Sequence, residues 1–115
     1  FVSSTHQLVA LEMDVTFNER LTEVCLGQRQ VATSAVTFIW AAVPYRTIWR
    51  YSERSYRYLY LDAGHVCQNL HLAAESINCG VCAIGAYDDD GADALLGFIP
   101  PEMFVIYMAS LGRKP

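Results

Sequence analysis

Residues 56–75 read YRYLYLDAGHVCQNLHLAAE, and this stretch decides the fold of the 115-residue chain. Apolar side chains recur in it at steps of three and four, which predicts one long helix over residues 55–77 with a continuous apolar stripe. The predicted stripe consists of Leu59, Ala63, Val66, Leu70, Ala73 and Ile77.

Gly64 lies inside this helix, where a glycine costs roughly 1 kcal/mol relative to alanine. The glycine is tolerable there if a ring or another backbone packs closely against it. Asn78 and Gly80 predict the C-terminal end of the helix. Residues 82–90, CAIGAYDDD, follow after a short turn that carries a cysteine. Their glycine can bring bare backbone amides close to a ligand.

The rest of the chain alternates between short helical and extended patterns, which predicts a single α+β domain. Residues 36–43 are apolar on both faces and predict a central strand that Pro44 ends. Asp14 or Thr16 can cap a helix that runs to about Leu26 and stops at Gly27. Further predicted strands cover residues 7–12, 81–84 and 104–111, and further predicted helices cover residues 45–51 and 92–96, the last of these ending at Gly97.

Composition limits the classes of function. Apolar residues make up 53% and charged residues 17% of the chain, which predicts a folded domain with apolar surface left for a partner. The net charge of −4 argues against binding to nucleic acid. The sequence contains no run of 18 apolar residues and no signal-peptide pattern, so we expect no membrane span and a cytoplasmic protein.

Two local patterns have ordinary interpretations. Arginines at positions 46, 50, 54 and 57 alternate with aromatic residues. This pattern has two interpretations, arginine stems that pack over rings and a surface that binds single-stranded nucleic acid, and we favour the first. The four cysteines are predicted to be free thiols, with Cys67 a small core residue. Cys79 and Cys82 have the spacing of half a zinc site, but no second pair accompanies them. We therefore predict no metal site.

The long helix and the glycine segment are also the parts of the chain that resemble a known family. The matching positions resemble SagB-type dehydrogenases of the nitroreductase superfamily of flavin enzymes, from about His6 to Arg113 and most densely over residues 49–97. They are residues 49–51, 54, 56–58, 61–65, 68–69, 72–75, 82–90 and 95–97. The resemblance implies an α+β nitroreductase-like fold, with a central antiparallel or mixed sheet and a long flanking helix. It also implies FMN at a homodimer interface and oxidation of peptide thiazolines and oxazolines to azoles.

The resemblance further implies the site residues. Ala83, Ile84, Gly85 and Ala86 correspond to the segment whose backbone lies along the isoalloxazine edge. Arg113 and Lys114 correspond to a basic stretch that meets the FMN phosphate. For His65, Gln68 and Asn69 two interpretations stay open, an interface or flavin-edge contact and an ordinary polar helix surface.

Arg50 and Tyr51 are the predicted catalytic pair, and here the chain departs from the family. Azoline-oxidising relatives place Lys-Tyr at this position, where a lysine can shift its pKa and remove a carbon-bound proton. Arg50 stays protonated and suits a carboxylate or a phosphate, while Tyr51 can still act as acid or base. Relatives also carry about a hundred more residues in front, with an arginine that grips the phosphate. We therefore expect residues 1–115 to be a single nitroreductase-like domain that lacks the usual N-terminal half and pairs with that half or with a second copy.

Two hypotheses for the function follow. The first is an FMN-dependent oxidoreductase that oxidises a peptide azoline or reduces a small electrophile with NAD(P)H. The second is a non-catalytic remnant of the same fold that serves protein–protein assembly.

Overall fold

The computed structural model describes residues 3–10 and 14–114 of the chain. One or two helices lie between successive strands, and a short 3-10 turn at Ser52–Arg54 precedes the longest helix. In chain order the elements are α1 (Phe17–Val24), α2 (Arg29–Ala32), β1 (Val36–Ala42), α3 (Tyr45–Tyr51), α4 (Ser55–Ser76), β2 (Cys79–Ile84), α5 (Asp89–Leu96) and β3 (Phe104–Arg113).

The three strands of the described chain form one antiparallel sheet in the order β1-β3-β2. Directly opposed residues share a face of the sheet because side chains alternate along each strand. Met108 at the centre of β3 therefore lies in one row with Ile39 and Ile84, and the next row, on the other face, contains Ala109 and Ala83. The α+β class and the antiparallel sheet with a long flanking helix are as predicted.

The main hydrophobic core lies on the face of the sheet that carries Met108. Helices α1, α2 and α5 cover this face, and their inward side chains meet the strands. The buried residues of this core are Leu21, Cys25, Val31, Ile84, Ala92, Val105 and Met108. Burial of aliphatic side chains at about 25 cal/mol per Å² of apolar surface is the main stabilising term here.

Helix α4 covers the opposite face, and it does so with small side chains. Its buried residues are Ser55, Ala63, Cys67 and Ala74. The predicted apolar stripe is therefore only partly correct: Val66 is 46% exposed and Ile77 is 66% exposed. Small side chains allow the helix backbone to approach the sheet closely. A pattern that counts only large apolar residues does not detect this buried line.

Two predicted strands differ from the structure. The run 36–43 is not central, because β1 is an edge of the described sheet and β3 lies between its neighbours. Apolar residues on both faces of β1 reflect partial exposure instead of full burial, since Val36 is 47% exposed and Phe38 is 38% exposed. Of the strand predicted at 7–12, Gln7 forms a single bridge and residues 8–10 belong to no strand, while residues 11–12 lie outside the described chain.

The predicted C-terminal ends of α4 and α5 are confirmed, whereas α1 ends at Val24 instead of Leu26 and Thr16 makes no side-chain capping bond. Asp14 Oδ1 accepts hydrogen bonds from the Thr16 backbone N–H (2.8 Å) and hydroxyl (2.6 Å), just before α1 begins. Both bonds lower the pKa of the Asp14 carboxyl group, and the bond from the Thr16 hydroxyl has the larger effect. Gly97 ends α5 with φ +69°, and Asn78 ends the turn after α4 with φ +56°. Gly80 is not part of this stop, because β2 already begins at Cys79.

No helix in residues 3–10 and 14–114 combines the length and the hydropathy that a membrane crossing requires.

Asp93 ties α5 to the central strand. Its side chain is buried, and Oδ1 accepts the Val105 N–H at 2.7 Å. Asp93→Ala should lower the free energy of unfolding by about 1–3 kcal/mol, because it leaves a buried amide without a partner. Urea unfolding followed by circular dichroism measures this loss. Asp90→Ala, at an exposed position of the same helix, is the control and should cost clearly less; equal losses would contradict the role of Asp93.

Tyr87 makes stability depend on pH at the alkaline end. Burial raises its pKa from 10.0 to about 12, and its hydroxyl donates a long bond of 3.5 Å to the Val105 carbonyl oxygen. A raised pKa in the folded state means that the neutral phenol stabilises the fold below pH 10 and that this contribution is lost as pH rises from 10 to 12. Tyr87→Phe should flatten the fall of unfolding free energy across that range. An unchanged slope in denaturant titrations at pH 9, 10, 11 and 12 would refute the assignment.

Candidate functional site

The segment after β2 presents the backbone amides of Gly85 and Ala86 beyond the last pair of the strand ladder. Gln28 Nε2 donates to the Ala86 carbonyl oxygen at 2.7 Å, and the Asp88 N–H donates to the Val24 carbonyl oxygen at 2.9 Å. These bonds hold the segment against the end of α1. The Ala86 N–H donates to no other described residue, so it can donate to a ligand, and Gly85 beside it has no Cβ that would block a close approach.

A cleft lies beside these amides, between α4 and the sheet. Its volume is about 350 Å³, within the range of small-molecule sites. A Cβ added to Gly64 would meet no atom within 4 Å, and one added to Gly85 would lie 4.0 Å from Cε2 of Tyr107. We call this site the α4 cleft; its lining residues are Tyr60, Ala63, Gly64, Gly85, Ile106 and Tyr107.

Two titratable groups, Tyr107 in the lining of the cleft and the buried Cys67 beside it, are neutral at physiological pH. Burial raises the pKa of the Tyr107 hydroxyl and also that of the Cys67 thiol, and the two groups are neighbours. Tyr107 is therefore a hydrogen-bond donor and not a base under ordinary conditions. Cys67 is a buried thiol with little thiolate character, which agrees with its predicted place in the core.

An aromatic row extends from the cleft across the sheet. The ring centroid of Tyr107 lies 6.0 Å from that of Trp40, and Trp40 stacks on Phe38 at 6.3 Å. These rings lie on the α4 side of the sheet, where β1 is not covered. They extend the apolar wall of the cleft toward the open edge of the described sheet.

The predicted flavin-contacting residues divide between the two ends of β2. Ile84 is buried in the core and can offer only its backbone, whereas Ala83, Gly85 and Ala86 are exposed. Arg113 pairs with Cys79 at the other end of the strand, five residue steps or roughly 17 Å from Ile84.

The two basic residues at that end differ in their partners. Lys114 Nζ forms an ion pair with Glu75. Arg113 has no carboxylate partner in the described chain, so its charge is free for an anion.

Of the predicted catalytic pair, Tyr51 lines a different cavity and Arg50 does not line it. Tyr51 meets Tyr58 edge to face with centroids 4.7 Å apart, and Cζ of Arg50 lies 5.6 Å from the centroid of the Tyr51 ring. This cavity also measures about 350 Å³, and we call it the α3–α4 pocket. Its lining residues are Arg46, Thr47, Tyr51, Tyr58 and Asp62.

The structure does not bring Tyr51 and residues 83–86 into one cavity. Tyr58 and Asp62 project from one side of α4, and Tyr60 and Gly64, two positions further along in each case, project from nearly the opposite side. Within one chain the helix therefore separates the α3–α4 pocket from the α4 cleft.

Other polar candidates stay on the surface. His65, Gln68 and Asn69 are exposed on α4 and make no side-chain hydrogen bond to another described residue. Cys79 and Cys82 are free and stand three residues apart on β2, so their side chains point to opposite faces and cannot share a metal or a disulfide. The described residues contain no group of three metal-ligating side chains.

Sequence reasoning missed several residues of the cleft. Gln28 lies 58 positions from Ala86, and no local pattern announces that bond. Tyr60 and Gly64 could have been found from the sequence, because residues four apart on a helix lie on the same face. Tyr107 lies within a strand that reads as plain core.

Gly64 provides a test of the open cleft. Nothing packs on it in the described chain, so Gly64→Ala should raise the free energy of unfolding by about 0.5–1 kcal/mol through the gain in helix propensity. Gly97→Ala is the matched control and should destabilise, because Gly97 has φ +69°. Thermal unfolding of both variants measures the difference. A loss of stability in Gly64→Ala would show that another group packs on this position.

Solved structures share this fold. A crystal structure from Anabaena variabilis, described as that of a nitroreductase, is 40% identical, with a TM-score of 0.75 over 86% of this chain and 20% of its own. The NADPH:FMN oxidoreductase of Vibrio harveyi, solved with NAD+, is 24% identical and has a TM-score of 0.73 over 89% of this chain and 47% of its own. At that identity the second likeness concerns the fold alone.

A curated relative and a family model give the same result. A Methanocaldococcus jannaschii protein with a provisional nitroreductase name is 28% identical over 114 residues, which are 99% of this chain and 56% of that protein. The chain thus spans about half the length of this relative. The model of the nitroreductase family matches residues 3–113. Because this match covers nearly the whole sequence, the chain belongs to the nitroreductase family.

Proposed function

We propose that this chain forms part of an FMN-dependent oxidoreductase in which the α4 cleft receives the isoalloxazine ring. The observation that carries the proposal is the backbone of Gly85 and Ala86, with the unpaired Ala86 amide, at the edge of a cleft lined by small residues and tyrosines. Membership of the nitroreductase family supports it, as does the shared fold of a protein named NADPH:FMN oxidoreductase.

The residues present fit the group. Tyrosine rings and small side chains suit a flat aromatic ligand, and the amides of Gly85 and Ala86 would donate to the acceptor edge of the ring. Arg113, at the far end of β2, would meet the phosphate, and Lys114 would add charge beside it. When bound, FMN supplies two-electron transfer, the chemistry that these side chains cannot provide themselves.

We propose that a second copy of the chain, or the segment that precedes it in longer relatives, completes the site. Tyr51 lies on the other side of α4 from the cleft within one chain, so a flavin in the cleft would meet a Tyr51 pocket only from another subunit. Apolar side chains on α4 support such a contact, since Leu61 is 51% exposed and Leu72 is 63% exposed.

The reaction class follows from Arg50. Azoline oxidation of the SagB type needs a group that removes a carbon-bound proton, and a guanidinium stays protonated. Reduction of a small electrophile with NAD(P)H needs a proton donor instead, which the Tyr51 phenol can be. We therefore favour reduction over azoline oxidation for this chain.

Flavin binding is the direct test. Purified protein should quench the fluorescence of added FMN in a saturable titration. Gly64→Leu should weaken binding about tenfold or more, because the added side chain fills the cleft where space is now open. Ala73→Leu adds comparable volume at an exposed site on the opposite side of the same helix and should leave the affinity unchanged. Failure of the wild-type chain to bind FMN would favour the non-catalytic hypothesis.

Arg113 tests the phosphate contact separately. Arg113→Ala should weaken FMN binding about tenfold, the loss expected for one charge-assisted contact, and leave riboflavin binding unchanged because riboflavin has no phosphate. Arg57→Ala removes an exposed arginine on α4 and is the control. An equal loss for FMN and riboflavin would place Arg113 away from the phosphate.

A further inference from the structure

The α3–α4 pocket brings two opposite charges to one cavity without pairing them. Arg46 comes from α3 and Asp62 from α4, and both line the pocket. Their charged atoms lie further apart than the 4.0 Å of an ion pair, and neither side chain has another hydrogen-bonding partner in the described chain. Each charge is therefore available to a ligand.

The walls between the charges are fixed. Trp49 Nε1 donates to the Arg46 carbonyl oxygen at 2.9 Å, which holds the start of α3. Tyr51 and Tyr58 pack edge to face at 4.7 Å and connect the two helices. The cavity of about 350 Å³ between them offers ring surface and the hydroxyl group of Thr47.

We propose that the α3–α4 pocket binds a small zwitterion of the amino-acid type, with its carboxylate on Arg46 and its ammonium group on Asp62. A planar guanidinium suits a carboxylate through two parallel hydrogen bonds, and a carboxylate accepts from an ammonium group. The tyrosine rings supply apolar contact for the carbon atoms between the two charges.

A ligand with a single charge fits this pocket less well. A carboxylate alone gains Arg46 but stands close to the negative Asp62, and an ammonium group alone stands close to the positive Arg46. Only a molecule that carries both charges satisfies both residues at once. The two opposite charges on one small cavity are what select the zwitterion.

This proposal concerns binding and does not rest on flavin chemistry, because the α3–α4 pocket and the α4 cleft share no lining residue. A titration without FMN therefore tests it separately from the proposed oxidoreductase function. Should the chain be such an enzyme, Tyr51 would place the zwitterion beside a proton-handling phenol.

The test is a titration of the 15N-labelled chain with glycylglycine, followed by amide chemical shifts. We expect saturable shifts at residues 46, 47, 51, 58 and 62. N-acetylglycine and glycinamide carry one charge each and should bind about tenfold more weakly or worse, the loss of one charge-assisted contact. Equal affinity for a single-charge compound, or shifts that do not saturate, would overturn the proposal.

Substitutions identify the two contacts. Arg46→Gln and Asp62→Asn should each weaken glycylglycine binding about tenfold, whereas Arg57→Gln, an exposed arginine outside the pocket, should not. All three side chains are exposed, and spectral dispersion confirms the fold of each variant. Acetylglycine should lose affinity in Arg46→Gln and not in Asp62→Asn. An unchanged affinity for glycylglycine in either pocket variant would exclude this binding mode.

Discussion

Strand β3 imposes the constraint on which the rest of the structure depends. It is paired on both edges in the described sheet, and Val105, Met108, Ala109 and Ser110 along it are buried. Both of its faces must therefore be covered by helices, since a two-sided buried strand cannot contact water. Helices α1, α2 and α5 cover one face with large aliphatic side chains. Helix α4 covers the other with small ones.

The candidate flavin site results from where this pairing ends. The ladder between β2 and β3 stops at Ile84 opposite Met108, so Gly85 and Ala86 present their amide donors beyond the last strand pair. The bond from Gln28 to the Ala86 carbonyl keeps the segment in place without using those donors. Because α4 approaches the sheet through small residues, Gly64 leaves space beside the amides instead of a filled core. A fixed pair of donors next to open space is a general property of ligand sites.

The existence and the ends of most elements could be predicted from local sequence patterns. The place of each element in the fold could not, because it depends on which strands and helices pack together. The extent of α4, the stop at Gly97 and the end of β1 before Pro44 follow from periodicity and from backbone preferences. The position of β1 at a sheet edge does not, because two-sided apolarity is compatible with partial exposure as well as with burial. The buried side of α4 was shifted from the predicted stripe because Ser55 and Cys67 do not count as large apolar residues.

The same holds for the candidate sites: the sequence indicated some of their residues, but the geometry of each site depends on the fold. Residues 83–86 were singled out by a glycine and by family resemblance, but the position of the Gly85 and Ala86 amides depends on where the ladder between β2 and β3 ends. The shared pocket of Arg46 and Asp62 joins two helices across a 3-10 turn, and no spacing rule connects them. Family membership itself followed from the residues of the long helix and the segment after it.

The most direct test of the central claim is the behaviour of the Gly85 and Ala86 amides in 15N-resolved spectra of the chain as FMN is added. Saturable shifts and slower hydrogen exchange are expected at both amides, because each would donate to the bound ring, while the amide of Gly97, directly after α5, stays unchanged. FMN that binds with neither amide shifted nor protected would contradict the account.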